Sequence, residues 1–332
     1  MPGPVVLILS YAEDAHLGFV TPHLDRMGTR WVLLATDRLG EDAFVSLRLD
    51  ATGEATITPR TPDGWVGSGQ DVGAVWNRRR LVNPGGTNQG TDDPLADQYI
   101  REQHTHLLDN LSVLPDVRWV NSPLSLRRAR PKFAQLAVAR RYGLTVPPTL
   151  CSDEPGDIRA FAASTGGRLV TKVVSPGTPL VPNREQQYMV FTQPFDPAEV
   201  SDGVLAAAPA LYQARVEKVF DARVVVVGET FFGCLIASQD SVETSLDWRH
   251  YQFPQVKHTT IDVPEPVRAG LLGLHHEFGL RFSACDFAVT ADGEWVFLEL
   301  NPNGQWGWIE EETGLPIGRA VAEELTRAAS GS

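Results

Sequence analysis

Residues 284–308 read A-C-D-F-A-V-T-A-D-G-E-W-V-F-L-E-L-N-P-N-G-Q-W-G-W, two apolar runs on either side of Ala291-Asp292-Gly293. Apolar runs flanking an Asp-Gly turn predict a β-hairpin. Asp286 opens the first strand, and Glu299 and Asn301 close the second. Residues two apart on a strand point to the same face, so Glu299 and Asn301 can address one ion together. Strand pairing then brings Asp286 alongside them. An all-oxygen donor set without His or Cys suits Mg2+, which prefers hard donors and the phosphates of a nucleotide. Taken singly, each of the three reads as an ordinary polar strand-edge residue. Together the acids interrupt apolar runs, where an unpaired carboxylate is costly, and the metal reading is preferred.

The rest of the chain bounds the setting. With 332 residues and no internal repeat, two or three subdomains are expected. Hydrophobic content of 42% and charged content of 21% are those of a globular protein. The net charge of -12 argues against non-specific nucleic-acid binding, so an anionic substrate must meet a local basic patch. Cys151, Cys234 and Cys285 are scattered, without metal or redox spacing, which favours reduced thiols and a cytoplasmic protein. Met1-Pro2-Gly3-Pro4 lacks the positive start of a signal peptide, and no apolar run is long enough to span a bilayer, so no membrane partner is expected.

In chain order, an apolar strand at 5–9, a helix at 16–27 interrupted by Pro22, and a strand at 31–35 suggest a small doubly wound domain. Strands at 44–49 and 55–58 suggest a hairpin. Gly67-Ser68-Gly69 with Gly73 has the wrong spacing for a dinucleotide fingerprint and reads as a loop. Arg78-Arg79-Arg80 reads as a solvated strand end and, less often, as an anion contact. His104 and His106 lie on a helix at 94–111 but two apart, so they share no face. Asn121-Ser122-Pro123 closes the first domain, and a linker with Arg127, Arg128 and Arg130 leads to a helix starting at Pro131. Lys172 stands inside an apolar strand at 168–174, where a lysine needs a partner. A Gly/Pro-rich loop at 175–182, strands at 188–192, 211–216, 222–227 and 230–237, and an amphipathic helix at 264–278 complete the pattern.

These landmarks resemble, in order from Asn121 to Glu310, an ATP-grasp enzyme. They are Lys132 in P-K-F-A-Q-L-A-V-A-R-R-Y-G-L-T-V-P-P-T-L, Lys172 in R-L-V-T-K-V-V, Tyr212-Gln213-Ala214-Arg215-Val216, the segment D-A-R-V-V-V-V-G from Asp221, and the metal hairpin. With V-W-N-R-R-R, R-W-V-N-S-P and L-E-L-N-P-N-G-Q-W-G-W-I-E, the resemblance narrows to the microviridin-type peptide maturases, the graspetide synthetases, and covers nearly the whole chain. The resemblance implies a mixed α+β and α/β ATP-grasp fold with an N-terminal, Rossmann-like pre-ATP-grasp domain. The expected divisions are 1–122, 123–210 for the central lobe, and 211–332 for the C-terminal lobe with the metal site.

The same resemblance implies roles. Lys132 and Lys172 would hold ATP phosphates as point charges; a solvated helix-start lysine is the plain alternative for Lys132. Gln213, Ala214 and Val216 would form the hinge whose backbone reads adenine, against an ordinary strand. Ala214 stands where relatives often have Glu. Asp221 would accept the ribose hydroxyls, with Glu217 as a competitor. Arg223 would stabilise the γ-phosphate or acyl phosphate, against a surface salt bridge. In Asp247-Trp248-Arg249, Arg249 would pair with a substrate carboxylate, against a structural arginine. Mg2+ would sit on Asp286, Glu299 and Asn301, and 175–182 would close as a lid. His275, His276, Trp306 and Trp308 read as structural.

The implied reaction uses ATP to phosphorylate an Asp or Glu side chain of a ribosomal precursor peptide. A Ser or Thr hydroxyl, or a Lys amine, then attacks to give an ω-ester or ω-amide. The implied partners are the leader and acidic core of that peptide, met by candidates among Arg78, Arg79, Arg80, Arg127, Arg128, Arg130 and Arg249, and a second copy of the chain in a homodimer. Two other readings stand beside it: a carboxylate–amine ligase acting on a small molecule, and a non-catalytic nucleotide-binding scaffold.

Overall fold

A computed structural model describes residues 5–61, 63–66, 71–82, 93–114, 117–174, 192–241, 244–248 and 256–327. Its N-terminal part runs β1 (Val5–Ser10), α1 (Leu17–Arg26), β2 (Trp31–Ala35), β3 (Phe44–Leu49), β4 (Ala55–Arg60), β5 (Val72–Arg79), α2 (Pro94–Asp109) and β6 (Arg118–Val120). Strands β2-β1-β5-β6 form a parallel sheet, while β3 and β4 pair as the expected hairpin. Every residue of β1 is buried, which explains its unbroken apolar run: a parallel strand covered on both faces needs no polar alternation. Val5, Leu7 and Leu9 face a core shared with Leu108 and Leu111. Val6 and Ile8 face a second core that contains Val225, Phe282, Trp306 and Val321 from the far end of the chain. Pro22 lies inside α1 without ending it. The expected loop at 67–69 lies outside the described residues.

The stretch with Arg127 and Arg128 is not a linker. It is helix α3 (Pro123–Ala129), for a local reason: Ser122 Oγ accepts from Ser125 N at 3.0 Å, and Pro123 occupies the first turn. Helix α4 (Lys132–Arg141) follows Pro131. The middle of the chain contains β7 (Thr149–Ser152), α5 (Pro155–Ser164), β8 (Leu169–Lys172), β9 (Gln193–Phe195), α6 (Asp202–Leu205) and β10 (Ala210–Ala214). These strands form an antiparallel sheet in the order β7-β10-β8-β9, covered by Ile158 and Ala162 of α5. The expected lid at 175–182 lies outside the described residues, as do positions 188–191 of the strand expected there.

The last part holds β11 (Phe220–Val227), β12 (Thr230–Ile236), β13 (His258–Thr260), α7 (Glu265–Phe278), β14 (Phe282–Val289), β15 (Trp295–Asn301), α8 (Gly307–Thr313) and α9 (Ile317–Thr326). The sheet order is β13-β12-β11-β14-β15, all antiparallel. One face packs on α4 and α7 through Leu136, Leu271, Leu274, Phe287 and Phe297. The other packs, with α9, into a core shared with α1 and the N-terminal sheet. Sheet membership departs from the expected boundaries in two places. Strand β10 straddles position 211 yet pairs on both edges inside the central sheet, and α4 packs on the C-terminal sheet.

Two amide side chains fasten these parts. Gln135 of α4 donates from Nε2 to Leu300 O at 2.8 Å and accepts from Leu300 N at 2.9 Å, so it pairs with edge strand β15 as a neighbouring backbone would. Asn121 donates to Phe282 O (2.8 Å) and Pro302 O (2.7 Å) and accepts from Arg281 N (2.7 Å) and Phe282 N (3.1 Å). Four bonds from one buried side chain tie the end of β6 to the start of β14 and to the turn after β15. Among the described residues no helix is long and apolar enough to cross a membrane.

His275 on α7 is 5% exposed, and burial pushes its pKa down from 6.5 to about 4. The unfolded chain therefore takes up a proton at higher pH than the folded one. The stability tied to neutral His275 is complete above pH 6.5 and is lost as pH falls towards 4. Denaturant unfolding should show about 3 kcal/mol lost through this group between pH 7 and pH 4, from 1.36 kcal/mol per pKa unit. His275→Gln should lack that part of the acid loss.

Candidate functional site

A cleft opens between the central and C-terminal sheets. Lys172, Gln213, Ala214, Val216, Asp221, Asp286 and Glu299 line it, joined by Glu217, Lys218 and Trp248. Strand β8 delivers Lys172, which donates to Gln213 Oε1 at 2.8 Å. Gln213 Nε2 donates in turn to Thr149 Oγ1 at 2.9 Å, so this side chain links β7, β10 and β8. At the expected hinge, Ala214 N donates to Pro148 O and Arg215 N to Arg168 O, each at 2.9 Å. These two amides are committed to the chain's own carbonyls.

Asp221 lies at the back of the cleft and is 2% exposed. Burial raises its pKa, while the charge and hydrogen bond of Lys218, at 2.6 Å, work the other way. Lys218 gave no signal in the sequence: it stands in an irregular segment with no periodicity. The competitor Glu217 is solvent-exposed and pairs with Arg168 at 3.0 Å.

The charged end of the cleft is built by strand register. Arg223 on β11 stands opposite Asp286 on β14, and Asp286 stands opposite Glu299 on β15. Arg223 Nη1 lies 3.0 and 3.2 Å from the two Asp286 carboxylate oxygens. Lys132, at the first position of α4, reaches Glu299 Oε2 at 2.8 Å. Arg223 also donates from Nη2 to Gln305 O at 3.1 Å and lies 5.4 Å from the Trp248 ring centroid. Asn301 stands opposite Ala284, two pairs farther along β15, exposed, and its Oδ1 accepts from Asn303 N at 3.1 Å.

The hairpin thus brings Asp286 and Glu299 side by side with Asn301 beyond them. Among the described residues no group of three His, Cys, Asp or Glu side chains is gathered to hold a metal. Two carboxylates and an amide instead fit Mg2+, a hard ion that takes few protein oxygens and fills its octahedron with phosphate oxygens and water. In the unliganded chain each acid already holds a cation of its own.

The basic run at 78–80 is not a solvated strand end at its first residue. Arg78 is 1% exposed, and burial lowers its pKa to about 10 against the opposing charge of Asp14. It donates from Nη1 to Asn303 O at 2.9 Å and Gly304 O at 3.3 Å, and from Nη2 to Gln305 Oε1 at 2.9 Å. Its Nε lies 3.5 Å from Asp14 Oδ2. His16 Nε2 accepts from Trp306 N (3.3 Å) and Gly307 N (3.2 Å), while its Nδ1 lies 3.0 Å from both Asp14 Oδ1 and Arg78 Nη2. Burial lowers the His16 pKa, in keeping with a neutral ring. Gly304 fits because a Cβ there would come within 2.5 Å of Ala284 Cβ and 2.8 Å of Arg223 Nη2.

Arg80 and Arg127 pair with Asp109, and Arg128 donates to Glu277 O. Arg79 and Arg130 are exposed. Arg249 lies outside the described residues. Sequence reading missed Asp14, His16, Arg78, Gln135 and Gln305 as parts of the site's frame.

No family model matches the chain, and no curated protein matches it. Solved structures do. Macrocyclase MdnC bound with precursor peptide MdnA, from Microcystis aeruginosa MRC, is 27% identical, with a TM-score of 0.82 over 98% of this chain and 100% of that one. A RiPP-associated ATP-grasp ligase of Chryseobacterium gregarium, in complex with ADP and a leader and core peptide, is 22% identical, with a TM-score of 0.85 over 97% and 96% of the two chains. ATP-grasp ligase PsnB, complexed with minimal precursor, Mg and ADP, is 21% identical at 0.74 over 98% and 99%. The fold is matched from end to end and the ligase landmarks lie in order along it: the chain has the ATP-grasp fold and is similar over its full length to graspetide-type ATP-grasp ligases.

Proposed function

We propose that this chain is an ATP-dependent peptide macrocyclase. It would activate Asp or Glu side chains of a ribosomal precursor as acyl phosphates, releasing ADP, and join each to a Ser or Thr hydroxyl or a Lys amine with loss of phosphate. The observation that carries the reading is likeness over the full length of both chains to a macrocyclase crystallised with its precursor. The charged end of the cleft supports it from the chemistry. When bound, Mg2+ would neutralise phosphate charge. Asp286, Glu299 and Asn301 would hold it, while Lys132, Lys172 and Arg223 would meet the phosphates. A polyanion entering the cleft would draw Arg223 and Lys132 from their acids and leave the two carboxylates for the cation.

In this reading the exposed side of the hinge at 213–216 takes the adenine, and Asp221, released by Lys218, takes the ribose. Bound as a whole, the peptide would supply the proximity that sets acceptor against acyl phosphate. Exposed Arg79 and Arg130 would meet its acidic core. Domains at 1–122, 123–210 and 211–332 are kept as the functional division, with β10 structurally part of the central sheet. We also propose a homodimer, to be read by sedimentation, and a cytoplasmic setting, supported by three unpaired cysteines.

Incubation of Thr- and Asp/Glu-rich precursor peptides with enzyme, ATP and Mg2+ should lower peptide mass by about 18 Da per bond, one water per condensation. Reversal by mild base identifies esters, and resistance identifies amides. ADP release driven by a small amine or amino acid, with no peptide losing mass, would instead establish the small-molecule ligase. Chelation with EDTA should stop ADP release, and added Mg2+ should restore it. Glu299→Gln keeps the side-chain shape but removes the charge. It should lower turnover by on the order of 10²-fold or more, with an unchanged circular dichroism spectrum.

A further inference from the structure

Gln305 is solvent-exposed, yet it is gripped from two sides. Its side-chain oxygen accepts from Arg78 Nη2 at 2.9 Å, and its main-chain oxygen accepts from Arg223 Nη2 at 3.1 Å. Arg78 comes from the end of β5 in the N-terminal part, and Arg223 comes from β11 in the C-terminal sheet. Among the described residues, the turn between β15 and α8 is the element that both guanidinium groups touch.

Burying a guanidinium is costly, and holding two domains together can be done with apolar packing alone. Arg78 is nevertheless 1% exposed and spends its fork on three oxygens in a row, those of Asn303, Gly304 and Gln305. A rigid planar fork fixes direction as well as distance. His16 fixes the next two residues by accepting from Trp306 N and Gly307 N, and Asp14 orients both His16 and Arg78. The fixed turn then supplies the second of the two hydrogen-bonded anchors that hold the Arg223 guanidinium. The first is Asp286, at 3.0 and 3.2 Å. With Asp286 alone the guanidinium can swing about that contact; with the Gln305 carbonyl it has a set plane. Gly304 presses the turn close to Arg223 as well, since even a Cβ there would approach Nη2 to 2.8 Å.

We propose that Arg78 and Gln305 are positioning residues for the reaction, which aim Arg223 at the phosphate end of the cleft from the N-terminal domain. The proposal rests on the reading of Arg223 as the cation that meets the transferring phosphoryl group. Neither residue lines the cleft, and neither does Arg223, which meets its wall at Asp286 and Trp248; the effect of Arg78 and Gln305 must pass through Arg223. The contact also gives the N-terminal domain, which contributes none of the lining residues of the cleft, a part in the chemistry.

The test is a double-mutant cycle on the full chain, read by ADP release at saturating ATP, which needs no particular product. Gln305→Met keeps length and removes the acceptor. It should lower kcat about 10–100-fold, the scale of a small misplacement of a catalytic group. KM for ATP should stay within about 2-fold, because the hinge and Asp221 are untouched, and the melting temperature within about 2 °C, as for a surface change. Gln305→Glu restores an acceptor for Arg78 and should keep kcat within about 3-fold of wild type. Arg78→Lys keeps the charge beside Asp14 but loses the fork, and should reproduce the kcat loss.

In an Arg223→Lys background, which cannot span Asp286 and the Gln305 carbonyl, Gln305→Met should add no more than about 2-fold, since residues acting as a unit are not additive. An unchanged kcat in Gln305→Met, or losses that multiply in the double variant, would overturn the proposal. Failure of the macrocyclase reading shows separately, as wild-type ADP release without loss of mass from any peptide. A wild-type chain that releases no ADP overturns both.

Discussion

Asp286 has a charged neighbour on each side of its strand: Arg223 across β11 and Glu299 across β15. Two carboxylates directly opposite on adjacent strands repel, and both are largely removed from solvent, with side chains 8% and 19% exposed. Such a pair persists only when each acid has its own cation. Arg223 serves Asp286 from within the sheet. Glu299 lies on the edge strand, with Asp286 on its inner side and no strand beyond it, so its cation must come from outside the sheet. That requirement places the first turn of α4 beside β15, where Lys132 sits, and the Gln135 clip to Leu300 holds it there.

The same constraint accounts for the way three layers share the work. The C-terminal sheet carries the acids on its cleft side and is covered by α4 and α7 on one face and by α9, α1 and the N-terminal sheet on the other. The N-terminal sheet is therefore structural to the site even though it contributes no lining residue. Asn121 satisfies four backbone groups where β14 begins and β15 ends, so the hairpin bearing Asp286 and Glu299 starts and finishes against one fixed side chain. Arg78, Asp14 and His16 do the same for the turn that follows.

What could be read from sequence was whatever short-range patterning encodes. The hairpin was legible because apolar runs and an Asp-Gly turn are local signals, whereas the irregularity between Asp286 and Phe287 that sets Asp286 opposite Glu299 was not. Lys172 was legible because a lysine in an apolar strand demands explanation. Its partner was not: Gln213 is a neutral amide forty-one positions away. Arg78 looked like a strand end because its neighbours Arg79 and Arg80 are basic too, and nothing local reveals that the turn it serves lies 225 positions later. The segment after Asn121 was read as a linker from its arginines, although Ser122-Pro123 already held a capping signal. An apolar run of the length of β10 specifies a strand and not its neighbours, so its place between β7 and β8 comes from the structure alone.

The charge economy of the cleft ties these observations to the reaction. A chain of net charge -12 must bring a polyanion and a divalent cation to one place. Preformed lone cations there would lower stability, since an unpaired buried charge is far more costly than a paired one. Pairing Arg223 with Asp286 and Lys132 with Glu299 keeps the resting site close to neutral. In the proposed reaction the incoming phosphates and metal replace one set of partners with another of like sign, so no buried charge is stranded at any stage. The exchange leaves Arg223 without its carboxylate at the moment its direction matters most. The hydrogen-bonded contact that does not depend on that carboxylate is the Gln305 carbonyl, and so the anchoring of a single turn from the N-terminal sheet becomes part of the catalytic geometry.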